Sequence, residues 1–182
     1  MISKSTLEQS IIHECNVCKH LFTKLTPESY DYRPTPGQRS TTELLRYLAI
    51  VGPAAIKSMT ARDWAPWGEY KAKVENMTAE EFPAMMDEQI REIRELFAGW
   101  SEEDMTTLTI RMPWGDEPTL GEGLMNSVLK WLVGYRMQLF LYAKSNGASE
   151  ISTSNCWLGM DWPVKEEKEV TEEEKEADTA VA

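Results

Sequence analysis

Three cysteines and two histidines are the side chains of this sequence best suited to metal binding or nucleophilic chemistry. Cys15 and Cys18 form a Cys-x-x-Cys pair, but a structural zinc site needs a second such pair or two nearby histidines, and Cys156 is the only other cysteine. A redox pair would sit at a helix N-terminus, where the helix dipole lowers the thiol pKa. Because Cys15 and Cys18 lie inside an apolar helical stripe, we expect both to be buried core residues.

His13 and His20 are seven residues apart and therefore share one face of the first helix. At about 100° per residue, this face is opposite the apolar positions Leu7, Ile11 and Phe22. We expect two solvent-facing histidines. The alternative is a role in a dimer interface or an adventitious metal contact.

Other patterns of catalytic residues are missing from the sequence. It has no Gly-rich phosphate loop, no nucleophile elbow and no Ser/His/Asp arrangement in a recognisable context. Carboxylates are abundant, but most fall at helix starts or on polar faces. A catalytic pair of carboxylates is therefore unsupported.

The formal net charge of −11 is unevenly distributed. Residues 165–182 hold eight acidic and three basic residues, whereas the first 164 residues hold 22 acidic and 16 basic ones. A phosphate-binding surface for nucleic acid, or a surface for anionic lipids, requires clustered Lys and Arg. We therefore expect neither nucleic acid nor a membrane as a partner.

Several sequence features indicate the cellular compartment. No apolar run approaches the roughly 20 residues that span a bilayer. The N-terminal segment is polar within its first ten residues and lacks the pattern of a signal peptide. An odd number of cysteines is typical of a reducing environment. These features predict a cytoplasmic protein.

The candidate residues are carried by four amphipathic helices, since apolar residues recur at spacings of three and four. The stripes comprise Leu7, Ile11, Cys15, Cys18, Phe22 and Leu25; Leu44, Leu48, Val51, Ala55 and Met59; Phe82, Met86, Ile93, Leu96 and Trp100; and Leu124, Val128, Trp131, Tyr135 and Tyr142. Gln89 interrupts the third stripe, and Gly52-Pro53 should kink or break the second helix.

Each helix has a capping-box signal at its start, in which a hydroxyl precedes a glutamate by three residues. The pairs are Ser5 and Glu8, Ser40 and Glu43, Thr78 and Glu81, and Thr119 and Glu122. Asn146-Gly147 predicts a left-handed stop for the fourth helix.

Long amphipathic helices must bury their stripes against one another, which predicts an all-α four-helix bundle. Residues 26–39, 61–77 and 101–118 are long enough to be crossover loops, and 106–111 could form a short strand. We expect Trp157 and Trp162 to fold back onto the bundle, giving one domain over 1–164. Residues 165–182 should form a disordered acidic tail.

Two stretches resemble the DinB-like superfamily, the damage-inducible four-helix proteins that include bacterial thiol transferases. Tyr32-Arg33-Pro34 followed by residues 37–49 is similar to the entry into that family's second helix. Within residues 119–147, the segment Tyr135-Arg136-Met137-Gln138-Leu139 is similar to its His-Arg-Gly-Gln segment. The resemblance covers about residues 5–147 and implies a DinB-like bundle, a stress-response role and a homodimer.

The resemblance also implies a divalent metal held by three histidines, and the matching positions here are Tyr47, Trp131 and Tyr135. A phenol has a pKa near 10 and an indole offers only an N–H donor, so this trio is a poor site for a divalent cation. We therefore expect no metal cofactor. An enzyme is correspondingly disfavoured, although this is left open.

Two interpretations of the aromatic trio stay open. The aromatic rings either fill the volume of a lost metal site, or line a retained small-molecule pocket to which Arg136, Gln138 and Arg39 add polar contacts. The expected function is thus a small-molecule-binding or interaction module. The alternative is a thiol-transferase-like enzyme with an altered site around Tyr47, Trp131 and Tyr135.

Overall fold

A computed structural model describes residues 2–162. The expected tail at 165–182, and the last residues of the expected 1–164 domain, lie outside this range. The helices are α1 (Lys4–Phe22), α2 (Thr41–Leu48), α3 (Val51–Ala61), α4 (Ala65–Lys73), α5 (Phe82–Ala98), α6 (Asp104–Thr107), α7 (Leu120–Leu124) and α8 (Lys130–Ser145), with a 3₁₀ turn at Pro27–Ser29 and π turns at Met125–Leu129 and Ser154–Leu158.

Four rods form the bundle: α1, the broken pair α2–α3, α5, and the pair α7–α8. Helix α1 packs against α5 and α8, while α3 packs against α5 and α2 against α8. The predicted stripes meet in one core whose central side chains are fully buried, among them Ile11, Leu44, Ile56, Phe97 and Leu132. The all-α bundle expected from the stripes is confirmed. No helix within residues 2–162 is both long and apolar enough to cross a membrane.

Two of the four predicted caps are confirmed and two are misplaced. The Ser40 box closes in both directions, and the backbone N–H and hydroxyl of Thr119 both donate to Glu122. Helix α1 instead begins two residues earlier, where the Ser3 side chain accepts from the backbone N–H of Thr6 at 3.1 Å. Helix α5 begins only at Phe82, and of the expected Thr78 box the bond from the Thr78 backbone N–H to the Glu81 carboxylate is made, at 2.7 Å.

The predicted break in the second rod is present and has a specific partner. Helix α2 ends at Leu48, and α3 restarts at Val51, which places Pro53 in a first turn where no N–H is needed. The side chain of Gln89 fills the gap, because its Oε1 accepts from the Gly52 N–H and its Nε2 donates to the Leu48 carbonyl, both at 2.9 Å. The polar residue that interrupts the third stripe thus satisfies the broken backbone of the second rod.

Two crossover segments differ from expectation. Residues 61–77 contain helix α4, with Pro66 in its first turn, rather than an irregular loop. The strand expected at 106–111 is reduced to a single antiparallel bridge between Thr109 and Thr119. The hydroxyls of Thr106 and Thr107 instead donate to the Glu103 carbonyl, and the helical turn α6 takes up the first two residues of that segment.

The fourth rod is continuous but contains a π turn at Met125–Leu129, which the spacing of its stripe did not predict. It ends as expected, with Asn146 as its cap and Gly147 at a φ of +105°. The following chain folds back onto α1 through the π turn Ser154–Leu158. The rings of Trp157 and Trp162 nevertheless remain 48% and 62% exposed.

Candidate ligand-binding cleft

The cap of α2 positions the first residues of the candidate site. Ser40 accepts from the Glu43 backbone at 3.2 Å, and Glu43 accepts from the Ser40 backbone at 2.7 Å. The bond from the Ser40 backbone, helped by Arg33 at 3.0 Å, holds the pKa of the Glu43 carboxyl below its usual value. This closed cap fixes Arg39 just before the helix and Tyr47 two turns inside it.

Three side chains from two rods stack at the end of this cap. The rings of Tyr47 and Tyr135 lie 4.5 Å apart between centroids. The guanidinium carbon of Arg39 lies 4.4 Å from the centroid of Tyr47 and 5.2 Å from that of Tyr135. Each contact is within the range of a cation–π interaction, so one cation is held against two phenol rings.

The backbone of Arg39 is fixed from helix α8. The Tyr142 hydroxyl donates to the Arg39 carbonyl at 3.0 Å, and Gln138 donates to the Tyr142 hydroxyl at 2.5 Å. Gln138 and Tyr142 are one turn apart on α8, so they meet on the same face. Gln138 therefore does not project into a cleft as a ligand group; it anchors the loop that presents Arg39.

Helix α4 forms the opposite wall. The Trp67 backbone donates to the Ser58 hydroxyl at 3.0 Å, which ties α4 to α3. The Trp67 ring lies 5.9 Å from that of Tyr47, and Trp64 packs on Trp67 at 6.0 Å. The aromatic cluster therefore extends from the interior of the bundle to an exposed wall at α4.

An open cleft of about 720 Å³ separates these two walls. Its charged lining residues are four basic and two acidic, a formal charge of +2, namely Arg33, Arg39, Arg46, Lys71, Glu43 and Glu75. Tyr47, Ile50 and Trp67 supply its apolar part. Volumes of roughly 300–1,000 Å³ with a few placed polar groups are typical of small-molecule sites.

The donor set at the matched metal positions does not fit a divalent cation. Burial raises the pKa of the Tyr47 phenol well above its ordinary value, Tyr135 adds to the rise, and Arg39 only partly opposes it. A protonated phenol is a weak ligand, and the Arg39 cation over both rings repels a second cation. Within residues 2–162, no group of three His, Cys, Asp or Glu side chains could hold a metal ion.

Of the expected site residues, Tyr47 and Arg39 line the cleft, whereas Trp131, Tyr135, Arg136 and Gln138 do not. Trp131 lies one turn before Tyr135, half-buried against the core, and is not part of the cleft wall. Arg136 follows Tyr135 directly, and a step of about 100° around α8 sends its side chain to a different part of the bundle. The structure thus brings Tyr47 and Tyr135 together and separates Arg136 from them.

Arg136 forms a buried network at the other side of α8. Its Nε donates to Glu14 at 2.5 Å, and its Nη1 donates to the Cys156 carbonyl at 2.5 Å. The guanidinium lies 4.4 Å from the ring centroid of Trp157. Arg136 is fully buried, and its Nη2 has no hydrogen-bond partner within residues 2–162. These contacts attach the C-terminal π turn to α1.

The expectation of two solvent-facing histidines is correct for His13 and wrong for His20. The side chain of His20 is only 15% exposed, because Asn155 of the C-terminal π turn contacts its Nε2 at 3.0 Å. Burial lowers the pKa of His20, while Asp161 opposes the change. His13 stays exposed, and its Nε2 contacts the Trp157 carbonyl at 2.8 Å. Both histidine rings thus contact the C-terminal π turn where it packs on the outer face of α1.

Sequence reasoning missed one wall of the cleft, namely Trp67 and Lys71 of α4. Residues 61–77 were expected to be a loop, so their side chains had no predicted direction. The signal that could have identified α4 is Pro66, because proline is favoured in the first turn of a helix.

Comparison with known proteins agrees with this architecture. No protein-family model and no curated protein matches the chain. A crystal structure assigned to the DinB family from Exiguobacterium sibiricum is similar with a TM-score of 0.58 and 20% identity, over 89% of this chain and 95% of that one. A DinB-like protein from Bacillus subtilis is similar with a TM-score of 0.60 and 15% identity, over 81% and 93%. The chain therefore shares the all-α fold of these two structures.

Proposed function

We propose that this protein is a small-molecule-binding module that uses the cleft between α2 and α4 and works without a divalent metal. The observation that supports this proposal is the stack of Arg39 on Tyr47 and Tyr135, which places a cation and two phenol rings at the matched metal positions of two rods. Such a stack is compatible with ligand recognition and incompatible with metal ligation.

The cleft itself supports a ligand of ordinary metabolite size. It is open to solvent, about 720 Å³ in volume, and bounded by the aromatic faces of Tyr47 and Trp67. Aromatic walls offer a large contact area at a small cost in side-chain entropy. The homodimer implied by the resemblance stays a prediction.

The alternative of a thiol-transferase-like enzyme is not supported by Tyr47 as a catalytic base. The raised pKa of Tyr47 keeps its phenol protonated at neutral pH. General-base catalysis requires a group whose pKa lies near the working pH. A binding role is therefore favoured over catalysis at this position.

Blocking the cleft tests the proposal. A Cβ added at Gly68, which lines the cleft, meets no atom within 4 Å, so Gly68→Phe should fill the mouth without disturbing the fold. Gly134→Phe is the matched control, since Gly134 is equally open but lies outside the cleft. A set of charged and neutral aromatic compounds is screened by thermal shift, and hits are measured by calorimetry.

We expect at least one compound to bind the wild type and Gly134→Phe with one site per chain, and Gly68→Phe to lose that binding. A set without any hit, or hits that Gly68→Phe leaves unchanged, would refute the proposal. Tight binding of one zinc or nickel ion per chain, measured by equilibrium dialysis, would refute its metal-free part.

A further inference from the structure

We propose that the ligand of this cleft carries an oxyanion, a carboxylate or a phosphate, which is bound by the edge of the Arg39 guanidinium. This inference rests on the proposed small-molecule function and specifies its ligand class. The sign of the charge favours an anion, because a chain with a net charge of −11 has a cleft whose lining carries a formal charge of +2.

The basic residues of the cleft differ in how far they are already neutralised. Arg33 is paired with Glu43 at 3.0 Å. Arg39 and Lys71, in contrast, make no ion pair with any residue in the range 2–162, and Arg46 donates only to the Met77 carbonyl through its Nε. Three cations thus face one cleft without a neutralising carboxylate of their own.

The orientation of Arg39 adds a geometric argument. Its planar face is occupied by the rings of Tyr47 and Tyr135, at 4.4 Å and 5.2 Å. Its five N–H donors lie in the plane of the guanidinium and point outward from its edge. None of them makes a hydrogen bond within the described residues. A carboxylate or phosphate is the partner that can accept two such donors in parallel.

The Arg39 side chain is also pre-organised. Its carbonyl is held by Tyr142, and the next residue, Ser40, is locked in the capping box. A side chain whose backbone and planar face are both fixed loses little further freedom when it binds. The cleft therefore presents a rigid anion-binding edge beside an aromatic wall formed by Trp67, and the preferred ligand combines an oxyanion with a flat or apolar body.

Matched probes separate charge from shape. Benzoate and phenyl phosphate are compared by calorimetry with benzamide and benzyl alcohol, which keep the ring and lack the anion. We expect the anions to bind at least about tenfold more tightly than the neutral probes, and to weaken when the salt concentration rises from about 0.05 M to about 0.5 M. The tighter of the two anions identifies which oxyanion the site prefers.

Substitutions at Arg39 test whether this residue binds the anion. Arg39→Gln should weaken anion binding by about tenfold or more, and Arg39→Lys should restore only part of it, because lysine keeps the charge and loses the planar fork. Arg94→Gln on the exposed face of α5 is the control, since it changes the net charge equally. The ratio of anion affinity to neutral-probe affinity should fall in Arg39→Gln and stay unchanged in Arg94→Gln.

The outcomes distinguish this inference from the function on which it rests. Neutral probes that bind the cleft as tightly as the anions, with Arg39→Gln and Arg94→Gln behaving alike, would overturn the oxyanion and leave the small-molecule function standing. Absence of binding by all four probes and by the wider screening set would overturn both. Anion binding that Gly68→Phe does not block would place the anion outside the cleft and also overturn the inference.

Discussion

The side-chain oxygen of Gln89 accepts a hydrogen bond from the backbone N–H of Gly52 at 2.9 Å, across the break in the second rod of the bundle. The amide nitrogen of the same side chain donates to the Leu48 carbonyl on the other side of the break. Gln89 is 2% exposed, so neither backbone group has water as a substitute. One buried amide thus replaces the helical bond between the Gly52 N–H and the Leu48 carbonyl that is lost at the break.

Replacing the side-chain amide of Gln89 should lower the stability of the protein. Gln89→Leu leaves the Gly52 N–H and the Leu48 carbonyl buried without partners, and we expect a loss of about 2–4 kcal/mol in the free energy of unfolding. Urea unfolding followed by circular dichroism measures it. Gln9→Leu on the exposed face of α1 is the control and should change stability by less than about 0.5 kcal/mol. Equal effects of the two substitutions would contradict the bridging role.

Replacing glycine by alanine should have opposite effects on stability at Gly52 and at Gly134. A Cβ at Gly52 would lie 2.8 Å from Cδ1 of Ile93 and 3.2 Å from Oε1 of Gln89, so Gly52→Ala should destabilise the protein by about 1–2 kcal/mol. A Cβ at Gly134 meets no atom within 4 Å, and Gly134→Ala should stabilise α8 by about 0.5–1 kcal/mol. Thermal and urea unfolding of both variants test the difference in sign. A gain in stability for Gly52→Ala would show that the α3–α5 contact is looser than the structure has it.

The ion pair of Arg136 and Glu14 should be sensitive to the loss of one partner. Their side chains are 0% and 11% exposed. Glu14→Gln leaves the buried guanidinium without a counter-charge, which should lower the free energy of unfolding by about 3–5 kcal/mol. The exposed pair Arg91 and Glu95 provides the control, because Glu95→Gln should cost less than about 1 kcal/mol.

The same network predicts a local effect that global stability alone would not reveal. Because Arg136 holds the Cys156 carbonyl, Glu14→Gln should speed hydrogen exchange in residues 154–158 more than in α5. Uniform acceleration along the chain would argue against a specific attachment of this turn. Combining Glu14→Leu with Arg136→Met should recover most of the lost stability, since no charge is then buried.

The cysteines should be unreactive in the native state. All three are free and buried, and burial, with Glu14 adding to it, raises the pKa of Cys15 from about 9 to about 12. Since the thiolate is the reacting form, a disulfide reagent at pH 8 should modify none of the three thiols in the folded protein and all three in urea. Rapid modification of Cys15 at pH 8 would contradict its buried position.

The raised pKa of Cys15 also predicts the sign of a pH dependence. Between about pH 9 and about pH 12 the unfolded thiol loses its proton while the folded one keeps it, so stability falls as the pH rises, by at most about 1.4 kcal/mol per pH unit for this one thiol. Cys15→Ala removes the group and should make the alkaline decline shallower. Urea unfolding at a series of pH values up to about 11 measures the two slopes, and identical slopes would exclude the contribution.

Several elements were predictable because local chemistry determines them. The capping box of Ser40 and Glu43 and the stop at Gly147 depend only on neighbouring residues and the backbone conformation that they favour. The apolar stripes predicted four rods because their period is that of a helix. Helix α4 was missed, since its polar and aromatic residues have no clear stripe. The cap at Ser3 was missed because two hydroxyl residues stood close enough to serve.

For this protein, the sequence by itself determined the all-α bundle and the break near Gly52-Pro53, and it placed Tyr47, Trp131 and Tyr135 on the second and fourth rods. Only the tertiary structure decided which of these residues meet. Tyr135 and Arg136 are neighbours in the chain, yet the helical turn directs one to the Arg39 stack and the other to Glu14. The partners of these two side chains depend on which rods lie on either side of α8. The positions of those rods are set by packing between segments distant in the chain, not by the local sequence.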